Sequence, residues 1–438
     1  MNVVLTLRLT AALLFLASNV LAEVHSLTLR QALDLASRQN TDVALARLDE
    51  LRTQQDIKIA QNPFRPKVYG GSGIAYTYGY PNSIAGNAPS LFQLRTDMAL
   101  YNRPDSFKLA SAREVARGSQ FAAQAKGEDV AFQTADLFLN ASQTEREAES
   151  LSSQIPSLQK VLEAMNAAVT EGTELPLEAK RASVNVAMAE ERMGAARLDA
   201  DYYEMMLAIV LGYPATDRVK PLDSDSPDLT PPASETDAAD KALQNNRELK
   251  QMQSNVLARE LDLRSYKSAN LPQFDLVAQY ALFLKQNYQN YFQKFQSNNY
   301  QIGASITIPL LVGSASRGMA DQASTDLRRM RIQMDQTRNR IIAETRRSFQ
   351  QWEKAANIRN LARMQLDLAR EQLSVLLAQS NEGRALLSRV EQARLEESDR
   401  WIALYEAEIQ VTRAKLAILR QTGTLLLAVR SGERVAQP

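Results

Sequence analysis

Hydrophobic and polar residues alternate over two runs in the second half of the chain. In the run from Pro272 to Lys285, Phe274, Leu276, Ala278, Tyr280, Leu282 and Leu284 hold the even positions, and Gln273, Asp275 and Gln279 are among the odd ones. In the run from Tyr300 to Gly313, Tyr300, Ile302, Ala304, Ile306, Ile308 and Leu310 face Gln301, Gly303, Ser305 and Thr307. Side chains alternate faces along a strand, so each run predicts a strand with one apolar and one polar or small face. The first half carries a matching pair. Val68, Ile74, Tyr76, Tyr78 and Tyr80 share one face of the stretch from Pro66 to Pro81. Phe92, Leu94, Met98 and Leu100 share one face of the stretch from Leu91 to Tyr101. Four strands with apolar faces need a partner surface, either a protein core or lipid.

Between the strands the pattern is helical. From Ser26 to about Pro63 an apolar stripe runs through Leu29, Leu33, Ala36, Val43, Leu51 and Ile57. A long helix is predicted from Ser106 to Val169, with Leu151, Leu158, Met165 and Ile155, Leu162, Val169 as two series seven apart. Pro156 inside it predicts a bend. The hairpin tip reads Glu171-Gly172-Thr173-Glu174-Leu175-Pro176, and a returning helix runs from Pro176 to Leu211. After it, Gly212 to Glu235 reads as a connector rich in proline, serine and aspartate.

The sequence then starts over. Asn40 corresponds to Asn246, Pro66 to Pro272, Gly172 to Gly383, and Gly212 to Gly423. The element order is therefore a two-fold internal repeat of helix, strand pair, long helix, hairpin tip and short helix. Its parts are a first repeat at residues 23–211, an equatorial linker at 212–235, a second repeat at 236–430 and a short tail at 431–438. The second long helix is expected from Ser314 to Ser380 and its return from about Arg384 to Thr422. Each long helix would span roughly 95–100 Å. Such a rod depends on lateral coiled-coil packing, so the fold class is mainly α with a small β part.

Composition narrows the surface that the strands seek. The chain has 438 residues, 45 % hydrophobic, with a net charge of +1 and a mean hydropathy of −0.32. Past residue 22 it offers no stretch of the roughly 20 apolar residues that a spanning helix needs. Near-zero charge argues against nucleic acid as a partner. The absence of cysteine excludes disulfides, thiolate metal sites and a lipid-modified N-terminal cysteine. Residues 1–22 have the pattern of a secretory signal, with Arg8, an apolar core from Leu9 to Leu16 and small residues ending at Ala22. The mature chain is expected to start at Glu23, outside the cytoplasm. The single histidine, His25, is expected to be solvated.

Four strands cannot close a barrel, and an open edge in lipid leaves backbone groups without partners. Two, three or four copies would give 8, 12 or 16 strands, with the polar face lining a lumen. The lipid-facing set is then Ile74, Tyr76, Tyr78, Phe92, Leu94, Leu276, Tyr280, Leu282, Ile302, Ile306 and Ile308.

LTLRQALDLA after a signal, the flanks LPQFDL and ITIPLLVG, and the paired glycine tips resemble the TolC-like outer-membrane efflux protein family, over essentially the whole mature chain. The resemblance implies a homotrimer with a 12-stranded barrel in the outer membrane of a Gram-negative-type bacterium and a helical tunnel across the periplasm. It implies tips that dock a periplasmic adaptor and an inner-membrane RND or ABC pump, here Gly172, Glu174, Leu175, Pro176, Gly383, Arg384, Leu386 and Leu387. The known members carry acidic residues six and nine positions after the second tip glycine. Here those positions are Arg389 and Gln392, while Glu178 stands six after Gly172. The three are the candidates for the periplasmic constriction. Without the N-terminal cysteine, the chain also departs from lipid-anchored members.

Other function classes fit less well. No histidine and cysteine cluster, Ser/His/Asp set or phosphate-binding glycine loop is present, so neither an enzyme nor a cofactor is expected. A soluble periplasmic coiled-coil adaptor would share the hairpins but not two pairs of aromatic-rich apolar strands. Ser388 and Glu391 have the spacing of a capping box. The aromatic loop with Tyr288, Tyr291, Phe292 and Phe295 would face outside.

Overall fold

A computed structural model describes residues 23–73, 90–222, 229–283, 296–310, 314–382, 384 and 386–431. In chain order the elements are β1 (Val24–Thr28), α1 (Leu29–Gln39), α2 (Thr41–Gln61), β2 (Lys67–Gly73), β3 (Ser90–Tyr101), α3 (Arg103–Thr170) and α4 (Pro176–Val210). They continue as β4 (Arg218–Leu222), α5 (Glu235–Asn245), α6 (Arg247–Lys267), β5 (Gln273–Leu282), β6 (Asn298–Thr307), α7 (Ser314–Asn381), α8 (Leu387–Gln421) and α9 (Leu425–Ser431). Helix, strand pair, long helix and returning helix therefore occur twice. Both long helices have 68 residues and both returning helices 35.

The chain divides into two compact units. One comprises Met1–Leu45, Gln124–Asn246 and Arg340–Pro438, the other Ala46–Ala123 and Arg247–Asn339.

The core of the first unit gathers Leu29, Leu33, Val130, Phe138, Leu207, Leu211, Val219, Leu416 and Leu425. Farther along α3, Ile155 and Leu158 of the heptad series pack on Val186 and Ala189 of α4. Two features here differ from the sequence reading. Residues 24–28 form a strand, not the start of a helix, and pair in parallel with β4, which lies inside the stretch read as a structureless connector. The helix expected from Ser26 to Pro63 is also broken at Asn40, whose Oδ1 accepts from the amides of Asp42 and Val43 at 2.9 and 3.2 Å. Helix α3 continues without interruption through Pro156.

The second unit holds a four-stranded antiparallel sheet in the order β2-β3-β5-β6. Among the described residues β2 and β6 are its edges, so each hairpin supplies one inner and one outer strand. Beside it Ser111 Oγ donates to the Ala258 carbonyl at 3.1 Å and Ser265 Oγ to that of Pro104 at 2.9 Å, holding α3 against α6.

Candidate channel wall and hairpin tips

Register decides whether the alternation of each strand adds up to a common face. Phe92 pairs with Leu282, Leu94 with Tyr280 and Met98 with Leu276. Phe274, Ala278 and Tyr280 pair in turn with Ile306, Ile302 and Tyr300. Residues directly opposite in a ladder point to the same side, so the apolar positions of β3, β5 and β6 share one face. The other face collects Gln93, Arg95, Asp97, Asp275, Gln279, Gln301 and Ser305. Ile302, Ile306 and Ile308 are 79, 60 and 56 % exposed, so nothing among the described residues covers this apolar surface. Rings line it: Phe92 lies 6.5 Å from Tyr280, and Tyr280 Oη donates to Asn298 Oδ1 at 2.8 Å. Leu100 departs from the expectation. The register shifts between Ala99 and Tyr101, so Tyr101 takes the place opposite Phe274. Ile74, Tyr76 and Tyr78, and the loop with Tyr288, Tyr291, Phe292 and Phe295, lie outside the described residues.

At the first tip, α3 ends in a Schellman motif. The amide of Thr173 donates to the Ala168 carbonyl at 2.9 Å and that of Gly172 to Val169 at 3.1 Å, with Gly172 at φ +74°. Helix α4 then starts with Pro176 at its first turn after Leu175, which is 66 % exposed, and Glu174 is exposed as well. At the second tip the Thr173–Ala168 bond recurs 211 positions later, the amide of Arg384 donating to the Gln379 carbonyl at 2.8 Å. Arg384 pairs with Glu382 at 3.0 Å, Leu386 is 63 % exposed, and Leu387 opens α8. Gly383 lies outside the described residues. Leu386 is the N-cap residue of α8 and makes no side-chain cap bond, so Ser388 stands inside the first turn and not at the cap position that the capping-box spacing requires. Glu391 pairs instead with Arg394 at 3.6 Å.

Among the described residues no hydrogen bond or ion pair joins the three constriction candidates to one another. Glu178 pairs with Arg181 at 2.8 Å. Arg389 is exposed. Gln392 lines a cavity of about 590 Å³ together with Leu158, Met188, Arg192 and Asp399. Arg192 bridges the helices beside it, 3.4 Å from Glu147 and 3.7 Å from Asp399.

Several residues escaped the sequence reading. Val184, Met188, Leu198, Tyr202 and Ile209 on α4, and Leu361, Leu368 and Val375 on α7, are apolar yet 43–75 % exposed. Their spacings of four, seven and ten residues mark helix seams that the described residues leave open. A second cavity, about 340 Å³, is lined by Glu145, Glu149, Arg197, Asp201, Glu204 and Lys220. Burial pushes the Glu204 carboxyl up, and the charges of Glu145 and Asp201 add to that while Lys220 opposes it. Its neighbour Asp201 is held below the usual carboxylate range by hydrogen bonds from Arg218, at 2.6 and 3.1 Å. Burial likewise raises Glu406, helped by the charge of Glu147 and opposed by a hydrogen bond from Gln143. His25 is not solvated: its ring stacks on Tyr213 at 4.2 Å and its Nε2 is 3.5 Å from Asp217.

Residues 238–424 match the outer membrane efflux protein family. Among curated proteins, no relative matches the sequence. Solved structures match along most of the chain. A membrane protein from Pseudomonas aeruginosa is 14 % identical, with a TM-score of 0.72 over 90 % of this chain and 92 % of its own. The Campylobacter jejuni CmeC outer membrane channel is 14 % identical, with 0.72 over 91 % and 86 %. The outer membrane protein VceC from Vibrio cholerae is 13 % identical, with 0.69 over 90 % and 96 %. The chain has the fold of the TolC-like outer-membrane efflux proteins, and its second repeat carries the sequence match to that family.

Proposed function

We propose that the protein is the outer-membrane exit duct of a tripartite efflux or type I secretion system, a passive channel and not an enzyme. The observation that carries this reading is the sheet, with one apolar face, one polar face and two edges that are unpaired among the described residues. In lipid such a sheet must close with other copies. Among the described residues no helix is long and apolar enough to span a membrane, whereas strands of 10 and 12 residues suffice. Three copies give 12 strands, in line with the trimeric channels of the matching family. The open seams on α4 and α7 are then the surfaces through which neighbouring copies pack into a tunnel.

In this reading the repeats 23–211 and 236–430, joined by 212–235, each supply one hairpin of barrel and one of tunnel. Phe92, Leu94, Leu276, Tyr280, Leu282, Ile302, Ile306 and Ile308 face lipid. The exposed tip residues Glu174, Leu175, Arg384 and Leu386 meet the helical hairpin of a periplasmic adaptor that serves an RND or ABC pump. Glu178, Arg389 and Gln392 ring the periplasmic end. The protein is held in the outer membrane by its barrel, without a lipid anchor. Native mass measurement in detergent should return three chains, and the purified assembly should conduct ions across a planar bilayer. A monomer that stays in solution without detergent overturns the proposal.

A further inference from the structure

The backbone nitrogen of Glu23 lies 3.3 Å from Asp217 Oδ1. Asp217 is only 7 % exposed. Around it, the amide of Arg218 donates to the Glu23 carbonyl at 2.9 Å, Thr216 Oγ1 donates to Oδ1 at 3.3 Å, and His25 Nε2 approaches Oδ2 at 3.5 Å. The carboxylate is thus fixed against the first residue after the expected leader, at the start of the β1 and β4 pairing, where Val24 faces Arg218. A buried carboxylate is costly unless a cation pairs with it. The nearest guanidinium, that of Arg218, is taken by Asp201 at 2.6 and 3.1 Å and reaches only the backbone carbonyl of Asp217, at 3.0 Å. That leaves the carboxylate a peptide N–H, a hydroxyl and an imidazole, which at these distances pair with it weakly.

We propose that removal of residues 1–22 completes this site, and that the new α-ammonium of Glu23 is the cation Asp217 is built to hold. Hydrolysis of the Ala22–Glu23 bond places the hydroxyl of water on the Ala22 carbonyl carbon and its hydrogen on the Glu23 nitrogen. The amine then takes up one further proton. A neutral donor becomes a positive one at the same place, and a charge-assisted hydrogen bond is shorter and about twice as strong as a neutral one. Processing therefore fastens β1 to the connector strand β4 and joins the beginning of one repeat to the link before the next. The inference rests on residues 1–22 being a cleaved leader and is independent of the channel reading.

The test uses the full mature chain purified from cells in detergent, in three forms. These are the wild type, Asp217→Asn, and a chain with Gly-Ser inserted between Ala22 and Glu23, in which Glu23 keeps a peptide N–H. Intact mass should place the wild-type start at Glu23. An amine-reactive ester at pH 7 labels the α-amine ahead of lysines, whose pKa is about two units higher. Labelling of the wild-type α-amine should be about tenfold slower than in either variant, the effect expected of one hydrogen bond to a charged group. A start elsewhere than Glu23, or equal labelling rates in the wild type and the Gly-Ser chain, overturns the proposal. The Gly-Ser chain retains Asp217 and decides the matter if Asp217→Asn does not fold.

Discussion

Asn40 and Asn246, 206 positions apart, perform the same task. Asn40 Nδ2 donates to the Val210 carbonyl at 2.8 Å and Asn246 Nδ2 to that of Gln421 at 3.0 Å, so each ties a break between two helices to the end of a returning helix. Both residues are at least nine-tenths buried. Asn40→Ala strands a buried carbonyl and removes the cap on α2, and should cost about 1–3 kcal/mol. Thermal unfolding of Asn40→Ala, Asn246→Ala and the double variant checks this. Unchanged midpoints in both single variants would contradict it.

Three glycines should respond to alanine in a fixed order. Gly172, Gly212 and Gly423 all have positive φ, which costs an L-residue roughly 1–2 kcal/mol. An added Cβ meets nothing at Gly172, the Gln39 carbonyl oxygen at 3.2 Å for Gly212, and that of Asn245 at 2.8 Å for Gly423. Loss of thermal stability should therefore rise from Gly172→Ala through Gly212→Ala to Gly423→Ala. A Gly172 variant as damaged as the Gly423 one would refute the steric part.

Glu204 gives a pH signature. Its folded-state carboxyl titrates above the unfolded value because of burial, so the native state holds the extra proton. Stability attributable to this group is present at low pH and is lost as pH rises from the unfolded pKa through the raised folded one. Glu204→Gln should be more stable than wild type near pH 7 and equal to it near pH 4. Denaturant midpoints at the two pH values test the sign, and a variant less stable at pH 7 would reverse it.

Ring closure can be tested at the edges β2 and β6. Cyclic symmetry pairs β6 of one copy with β2 of the next, a heterologous contact. The chain has no cysteine of its own. Tyr69→Cys combined in turn with cysteine at Asn299, Gln301 or Gly303, all on the polar face, should give oxidised ladders ending at three chains. Single variants should give none. A dimer from a single β6 cysteine would mean edge-to-edge pairing of like strands and would sink the trimer.

The constriction proposal predicts that Arg389→Asp or Glu178→Lys shifts the reversal potential in a salt gradient. At contact distance two unit charges interact by about 1 kcal/mol in water and about 4 at an effective dielectric near 20. Unchanged reversal potential and closed-state conductance in both variants would place neither residue on the pore.

Strands and long helices were legible because their periods are carried by many residues. The long helices begin within about three residues of the expected positions and end within one. The break at Asn40 was hidden because Leu33, Ala36 and Val43 stay in helical phase across it. Strand β1 has five residues and a partner 194 positions away, so no local signal announces it. The matches Asn40 to Asn246 and Gly212 to Gly423 were visible as identities, but their meaning is geometric. Each glycine turns a helix end over the backbone that precedes its asparagine. The burial of His25 likewise depends on Tyr213 and Asp217, remote in sequence.

The strand order β2-β3-β5-β6 makes each chain a fused pair of half-units. A ring of six separate half-units would repeat one charge six times at any given level. Fusion frees the two halves to diverge, so a ring of three chains can alternate acid and base, as Glu178 and Arg389 would at the narrow end. Such a ring can be neutral as a whole while every neighbouring pair attracts, which one side chain repeated six times cannot give.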